Sequence, residues 1–230
     1  METLDIYQEG KVLLIDKPLN WTSFQVVNKI RWLIKQQFSI KKIKVGHAGT
    51  LDPLATGLLI LCTGKFTKKI ETYQAQVKEY TGTFTLGATT PSYDLESEID
   101  QKFDISEISK ADILKNTQQF HGKIQQQPPI FSALKKNGKR LYEYAREGSK
   151  IDIPSRSVTI KEFQITKIEL PYIEFRIVCG KGTYIRSLAH DFGKSLNNGA
   201  HLSSLRRTKI GEFRVEDAID VFEVEKFIKS

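Results

Sequence analysis

The sequence predicts an α+β protein with a mixed, largely antiparallel central sheet flanked by helices. Several segments alternate between apolar and polar residues, as half-buried strands do. Other segments repeat apolar residues at intervals of three and four, as amphipathic helices do. Mixed strands with helices to one side of the sheet are typical of the α+β class. Because the 230 residues contain no internal repeat, low-complexity tract or composition break, we expect a single domain over residues 1–230.

The first elements are a strand, a turn and a helix. The apolar run KVLLID predicts a short strand, and KPLNW predicts a turn. The next run, TSFQVVNKIRWLIKQQF, opens with a capping box between Thr22 and Gln25. It places four apolar residues on one helical face, namely Val26, Ile30, Leu33 and Ile34. We therefore expect an amphipathic helix that packs on a sheet.

Two strands and a polar segment come next. Thr56–Gly64 reads TGLLILCTG, which predicts a buried strand. The run VKEYTGTFTLG alternates, with Tyr80, Phe84 and Leu86 on one face and threonines on the other, so we expect one face to be solvated or bound. The polar, acidic stretch from 91 to 112 predicts a loop that leads into a helix around 111–120.

A segment of different character occupies residues 125–150. Its run QQQPPIFSALKKNGKRLYEYAREG combines a Pro-Pro stop with four basic and three aromatic residues, which are Lys135, Lys136, Lys139, Arg140, Phe131, Tyr142 and Tyr144. We interpret it as an inserted loop and helix. Beyond it, TIKEFQITKIEL and YIEFRIVCG alternate as strands, and TYIRSLAHDFGKSL has the apolar spacing of a helix, at Ile185, Leu188, Ala189 and Phe192.

Composition narrows the class of partner. Lys and Arg total 35 against 27 for Asp and Glu, and the net charge of +8 favours polyanionic partners such as nucleic acid. No apolar run approaches the roughly 18 residues of a membrane span, and no signal peptide opens the chain, so we expect a cytoplasmic protein without membrane contact. Cys62 and Cys179 lie far apart in apolar runs and are expected to be reduced core residues. Neither C-x-x-C spacing nor a His/Cys cluster predicts a metal site.

The run GHAGTLDPLATGLL, residues 46–59, holds Asp52 in a stiff position. Gly46, Gly49 and Gly57 permit sharp turns or a close approach of another molecule. Pro53 pushes Asp52 towards extended geometry and removes the nearest backbone donor. The carboxylate is therefore expected to be held in place and to face outward.

Other interpretations of this run are weaker. VGHAG resembles the G-x-x-G loop with which KH modules clamp RNA, but Asp52-Pro53 is a poor continuation into the helix that a KH loop requires. His47 and Asp52 lack a third ligand for a metal ion. A glycosidase needs two carboxylates acting together, and the flanks of Asp94 and Asp191 do not resemble a paired-acid site.

Several ordered motifs identify a family. GHAGTLDPLATGLL closely resembles the signature of the TruB-type tRNA pseudouridine-55 synthases, and five further runs match in the same order, from about Val12 to Phe213. They are LLIDKPLNWTSFQVV, KEYTGTFTLGATTPSYD, QQPPIFSALKKNGKRLYEYAREG, CGKGTYIRSLAHDFG and LSSLRRTKIGEF. The resemblance implies a pseudouridine-synthase-like fold in a short form. Only 23 residues follow Arg207, which leaves no room for the C-terminal PUA domain of many relatives.

The resemblance also assigns roles to residues. Asp52 would be the catalytic nucleophile or base. The substrate-binding residues would be Tyr80, which stacks on the target base, Arg186, which partners Asp52, Tyr184 beside the uridine, Leu205 in the pocket wall, His47 at the opening T loop, Asp94, which can pair with Arg186, and Lys17. The reaction needs no cofactor and no metal, because the isomerisation of uridine to its C-glycoside involves neither redox change nor net hydrolysis. It does need an ionised acid and a base turned out of the RNA.

Basic side chains along the chain are expected to contact the RNA backbone. They are Lys68, Lys69, Lys135, Lys136, Lys139, Arg140, Arg206 and Arg207. The implied partner is the T arm of tRNA, bound by a monomer without an obligate protein partner. The implied activity is isomerisation of uridine 55 in the T loop. The alternative is a non-catalytic RNA-binding or tRNA-folding module that opens the same loop without chemistry.

Overall fold

The computed structural model describes residues 3–149 and 151–229, and within it the chain divides into two compact units. The first unit contains the residues up to Tyr80 together with those from Leu205 onward, and the second contains Thr81–Ser204. Met1, Glu2, Lys150 and Ser230 lie outside the described residues. The single domain expected over residues 1–230 stays a prediction, because compactness alone does not show whether either unit folds independently.

Short and long elements alternate along the first unit. Its helices are α1 (Leu4–Glu9), α2 (Ser23–Gln37), α3 (Ile70–Ala75) and α7 (Val224–Lys229). Its strands are β1 (Val12–Lys17), β2 (Val45–His47), β3 (Ala55–Thr63), the first residues of β4 (Lys78–Leu86), the last residues of β12 (Ala200–Ile210), β13 (Phe213–Arg214) and β14 (Ile219–Asp220). Short 3₁₀ helices cover Gly64–Lys69 and Val215–Asp217.

The sheet of the first unit has the strand order β14-β1-β3-β12, with β2 paired to β3 and β13 paired to β12. Strands β1 and β3 are antiparallel, whereas β3 and β12 are parallel. The apolar run of β3 is explained by burial on both faces. Leu59 and Leu61 belong to the cluster that includes α2, and Leu58, Ile60 and Cys62 belong to a second cluster on the other face. A strand covered on both faces reads as a continuous apolar run.

Helix α2 confirms the predicted amphipathic helix. Thr22 accepts a hydrogen bond from the Gln25 backbone N–H, and the Gln25 side chain accepts one from the Thr22 backbone, so the capping box is present. The four predicted apolar residues are all buried. The helix thereby fixes the position of the turn that precedes it.

The second unit contains the remaining elements. Its helices are α4 (Lys110–Asn116), α5 (Leu141–Arg146) and α6 (Ile185–Ser195), and a 3₁₀ helix covers Thr117–Phe120. Its strands are the later residues of β4, then β5 (Ala88–Thr89), β6 (Gln101–Lys102), β7 (Gly122–Gln126), β8 (Lys135–Lys136), β9 (Lys139–Arg140), β10 (Arg156–Glu169), β11 (Tyr172–Cys179) and the first residues of β12.

The sheet of the second unit has the order β12-β4-β11-β10-β7, and β10 is antiparallel to both of its neighbours. Two small hairpins, β5–β6 and β8–β9, stand apart from this sheet. The core contains a cluster of aromatic rings, with Phe84 and Phe175 only 4.3 Å apart between centroids and Phe163 and Phe192 5.5 Å apart. The predicted mixed, largely antiparallel sheet flanked by helices is confirmed.

The insertion at 125–150 stays a prediction, and the structure describes its residues up to Ser149. Hairpin β8–β9 and helix α5 give it the expected loop-and-helix character. Its first two residues, Gln125 and Gln126, instead belong to β7 and pair with Ser157 and Arg156 of β10. Polar strand residues are hard to separate from a loop by sequence, because β7 carries too few apolar residues to show a period of two.

Candidate active site

Asp52 lies in the loop between β2 and β3 and is half-buried. Its carbonyl oxygen accepts a hydrogen bond from the Ala55 N–H at 3.1 Å, which closes the turn that starts β3. The carbonyl of the next residue, Pro53, accepts from the Asn20 N–H at 2.9 Å. The carboxylate is therefore carried on a backbone that is held on its C-terminal side, as the glycine- and proline-rich run predicts.

Lys17, at the end of β1, is fully buried and aims its ammonium at the same loop. Its Nζ donates to the carbonyls of Pro18 at 2.9 Å, Trp21 at 2.5 Å and Pro53 at 3.4 Å. Burial lowers the pKa of Lys17 from 10.5 to about 8, while the charge of Asp52 raises this pKa and that of Arg207 lowers it. Lys17 therefore supplies positive charge near Asp52 and ties the turn before α2 to the loop.

Arg207 lies inside the protein, with only 1% of its surface exposed. Its Nε donates to the carbonyl of Leu58 at 2.8 Å, and its Nη2 donates to that of Gly49 at 3.1 Å. The predicted contact with the RNA backbone requires an exposed guanidinium, and the burial of this one contradicts it. Arg207 instead links β12 to the glycine loop and adds a second cation to the surroundings of Lys17.

Gly57 makes this arrangement possible. It pairs with Arg207 in the parallel β3–β12 ladder, and a Cβ at this position would stand 2.3 Å from the Arg207 carbonyl oxygen. Its φ of +100° is also one that residues with side chains rarely adopt. Glycine is therefore required here for the close approach of the β12 backbone.

His47 ends β2, where it pairs with Leu61 of β3. Its pKa is lowered, first by burial and then by the charge of Arg207, while a backbone hydrogen bond at Gly49 opposes both effects. Its Nδ1 is buried and has no hydrogen-bond partner among the residues that the structure describes. The imidazole is thus neutral at pH 7.

Two residues predicted to contact the target base, Tyr80 and Leu205, also lie in the first unit. Tyr80 lies in β4 and is 9% exposed. Leu205 of β12 is half-buried and pairs with Ala55, the residue whose N–H bonds the Asp52 carbonyl. Lys17 and Leu205 therefore lie beside the start of β3, paired with Gly57 and Ala55, whereas His47 is paired further along the strand.

In the second unit, Arg186 and Asp94 form an ion pair, as the resemblance implies. Nε of Arg186 lies 3.5 Å from Oδ2 of Asp94, and each side chain is only 4% exposed. Arg186 Nη1 also donates to the Ser92 carbonyl at 3.4 Å. The predicted partnership of Arg186 with Asp52 joins residues of different units and stays a prediction.

Tyr184 immediately precedes α6 and is half-buried. Its backbone N–H donates to the Gln126 side chain at 2.8 Å, and its carbonyl accepts from the same side chain at 3.0 Å. The Arg156 guanidinium lies 4.8 Å from the centre of its ring. Gln126, which is fully buried, thus holds the start of α6, on which Arg186 is also placed.

The remaining predicted RNA contacts are at least partly exposed. Lys68, Lys69, Lys135 and Arg140 are exposed, and Lys136, Lys139 and Arg206 are half-buried. Arg206 forms an ion pair with Asp16 at 2.6 Å, and Lys139 forms one with Glu147. Their side chains are available for phosphate contacts, although two of them also have carboxylate partners.

The sequence did not single out three residues that hold the site. Ser23 bonds the backbone of Leu51, next to Asp52, while Gln126 and Arg156 hold Tyr184. Each acts through a partner far away along the chain, so no local pattern marks it. Over residues 3–149 and 151–229, no group of three or more His, Cys, Asp or Glu residues could hold a metal ion, and no helix has the length and apolarity to cross a membrane.

Comparisons with known proteins identify the family of the chain. Residues 35–185 match the model of the TruB family pseudouridylate synthase N-terminal domain, and residues 186–229 match that of the tRNA pseudouridylate synthase B C-terminal domain. A tRNA pseudouridine synthase B from Flavobacterium johnsoniae is 63% identical over 220 residues, which are 95% of this chain and 96% of the relative. One from Phocaeicola vulgatus is 53% identical over 215 residues, 94% of this chain and 92% of the relative.

Solved structures show the same similarity. A chain from an H/ACA RNP bound to a substrate RNA containing 2′-deoxyuridine matches 96% of this chain with a TM-score of 0.68 and 27% identity. A chain from a Cbf5-Nop10-Gar1 complex matches 96% with a TM-score of 0.70 and 29% identity. This chain spans only 54% and 55% of those two chains. With two family models covering most of its length and relatives above 50% identity, the chain belongs to the TruB family of pseudouridylate synthases.

Proposed function

We propose that this enzyme isomerises uridine to pseudouridine in tRNA, that its target is position 55 in the T loop, and that Asp52 is the catalytic group. The relatives named tRNA pseudouridine synthase B, alike over nearly the whole chain, support the reaction and the RNA class. The observation that carries the role of Asp52 is its placement. It is a half-buried carboxylate on a tethered loop, and its charge interacts with the buried ammonium of Lys17. The buried Arg207 donates to the carbonyl of Gly49 in the same loop.

The reaction rearranges one nucleotide without a co-reactant. The bond from N1 to C1′ breaks, the base turns, and C5 bonds to C1′; the hydrogen on C5 leaves to solvent and N1 takes up a proton. An ionised carboxylate can start this sequence by attacking C6 or C1′ or by removing a proton from the sugar. Neighbouring positive charge favours the ionised form of an acid. Lys17 therefore serves the chemistry by favouring a negative charge at Asp52.

The target base must leave the RNA stack to reach such a group. Extrusion costs a few kcal/mol, and enzymes offset it by stacking the base on aromatic or apolar side chains. Tyr80 and Leu205 are the candidates for this contact in the unit that carries Asp52. His47, whose pKa is lowered by burial and by the charge of Arg207, is suited to contact a displaced base rather than a phosphate, because its ring is neutral.

Exposed lysines supply the non-specific part of tRNA binding. Lys68, Lys69 and Lys135 are exposed lysines among the predicted RNA contacts. Together with the net charge of +8 they favour a polyanion. We further propose that the protein acts as a monomer in the cytoplasm, where its tRNA substrate occurs.

The test is release of tritium from C5-labelled uridine in a T-arm transcript. The wild type is expected to release one equivalent of label per target uridine, and Asp52→Asn is expected to release none above background. Asp100→Asn, which changes an exposed aspartate of the second unit, serves as the matched control and should retain wild-type release. Release by Asp52→Asn at the wild-type rate would end the catalytic assignment.

Binding of the same transcript separates catalysis from recognition. If Asp52→Asn binds normally but releases no label, Asp52 acts in chemistry. If the wild type binds the transcript and releases no label, the non-catalytic RNA-binding alternative replaces the proposed function.

A further inference from the structure

We propose that Ser23 is a positioning residue for Asp52. This inference depends on the proposed function, in which Asp52 is the catalytic group. Ser23 is the first residue of α2 and lies 28 residues before Leu51, the neighbour of Asp52. Its hydroxyl sets the geometry of the loop rather than taking part in the chemistry.

The hydroxyl of Ser23 satisfies both backbone polar groups of Leu51. Its Oγ donates to the Leu51 carbonyl at 3.0 Å and accepts from the Leu51 N–H at 2.8 Å. Ser23 is 2% exposed and Leu51 is 3% exposed, so water does not replace these contacts readily. Because Leu51 lies between β2 and β3 and belongs to neither strand, this one side chain takes the place of a strand partner.

A second tether acts on the other side of Asp52. The Pro53 carbonyl accepts from the Asn20 N–H at 2.9 Å, and the proline ring fixes its own φ. The turn before α2 and the first residue of α2 thus hold both neighbours of Asp52. The freedom left to the carboxylate lies in the dihedral angles of Asp52 itself.

The hydroxyl of Ser23 is not needed to start the helix. Thr22 is the N-cap, and its hydroxyl and the Gln25 side chain form the capping box. A hydroxyl in the first turn, fully occupied by a loop residue, therefore serves the loop. Thr22→Ala is therefore a matched control for Ser23→Ala. The two residues are adjacent and similar in chemistry, but the hydroxyl that bonds the Leu51 backbone is that of Ser23.

Removing the tether is expected to slow the chemical step. A displacement of about 1 Å at a reacting group can cost roughly a hundredfold in rate. Ser23→Ala is therefore expected to lower kcat by about 10- to 100-fold, with KM for the T-arm transcript within about twofold of the wild type. Thr22→Ala is expected to lower the melting temperature while leaving kcat unchanged.

The experiment measures tritium release and transcript binding for the wild type, Ser23→Ala, Ser23→Thr, Thr22→Ala and Asp52→Asn. Ser23→Thr, which restores the hydroxyl, is expected to recover most of the lost kcat. Should Ser23→Ala fail to fold, as judged by circular dichroism, Ser23→Cys takes its place, because it keeps the volume but makes weaker hydrogen bonds.

The outcomes separate the two proposals. A wild-type kcat in Ser23→Ala, or in Ser23→Cys where that replaces it, overturns the positioning role while Asp52→Asn stays inactive. An equal fall of kcat in Thr22→Ala also overturns it, since a general weakening of α2 then explains the effect. Activity in Asp52→Asn overturns the proposed catalytic group itself, and with it the premise of this inference.

Discussion

Lys17 gives the structure a specific dependence of stability on pH. Burial lowers the pKa of its ammonium to about 8, against 10.5 for an ordinary lysine. In the unfolded chain the side chain keeps the ordinary value. Between these two pH values the unfolded state binds more protons than the folded one, so the stability contributed at this site rises with pH. Below pH 8 the folded protein bears the full free-energy cost of burying the charged ammonium of Lys17. Above pH 10.5 that cost disappears.

The size of the effect follows from the two pKa values. At 1.36 kcal/mol per pH unit, the buried charge costs ~3 kcal/mol at pH 7. The same relation leaves a cost of ~1.4 kcal/mol at pH 9.5. The wild type is therefore expected to gain ~2 kcal/mol over this range relative to Lys17→Met, which carries no titrating group there.

Urea unfolding at intervals from pH 7 to 9.5 measures this difference. The quantity to compare is the free energy of unfolding of the wild type minus that of Lys17→Met, because other groups that titrate in this range cancel. Lys42→Met, which changes an exposed lysine, is the control and should run parallel to the wild type. Parallel curves for the wild type and Lys17→Met would refute the reasoning, since they would show that folding does not perturb this ammonium.

Three further outcomes are expected. Gly57→Ala should lose at least about 2 kcal/mol of stability in thermal unfolding. Gly122→Ala, also at positive φ but with no atom within 4 Å of the new Cβ, should lose less. Equal losses would exclude the contact between the new Cβ and the Arg207 backbone as the cause. Asp94→Asn should cost about 3 kcal/mol in urea, because it removes the carboxylate beside a buried guanidinium. The exposed Asp100→Asn should change stability little, and an equally small change in Asp94→Asn would contradict the importance of the ion pair. Transcript affinity should fall steeply between 50 and 200 mM salt, and Lys135→Ala should reduce the log–log slope by about 0.7 to 0.9; an unchanged slope would remove Lys135 from the RNA contacts.

The strongest sequence patterns predicted their elements with boundaries correct to within a few residues. The buried strand predicted at Thr56–Gly64 is β3, and the alternating strands after the insertion are β10 and β11. These elements have long apolar patterns because each buries at least one face continuously. The short helices α1, α3 and α7 and the two small hairpins were not predicted, since two to six residues carry too little periodicity.

Strand β12 was missed for a different reason. Its run AHLSSLRRTKI reads as polar and basic, and Arg207 within it was assigned to the RNA backbone. The structure buries Arg207 because the carbonyls of Leu58 and Gly49, about 150 residues earlier in the chain, receive its donors. Whether an arginine is buried depends on such remote acceptors, which its own neighbours in sequence do not reveal.

The difference between local and remote contacts also explains what the sequence could say about Asp52. Proline restrains its own backbone and glycine permits the turns on either side, so local sequence alone predicts a stiff loop around Asp52. The direction in which a stiff loop holds its side chain depends on where the loop is attached. Here the attachments come from Ser23, Asn20 and Lys17, all in or beside the turn between β1 and α2. The segment between β1 and α2, through these three residues and not through the Thr22–Gln25 capping box, therefore fixes the frame in which the carboxylate is presented.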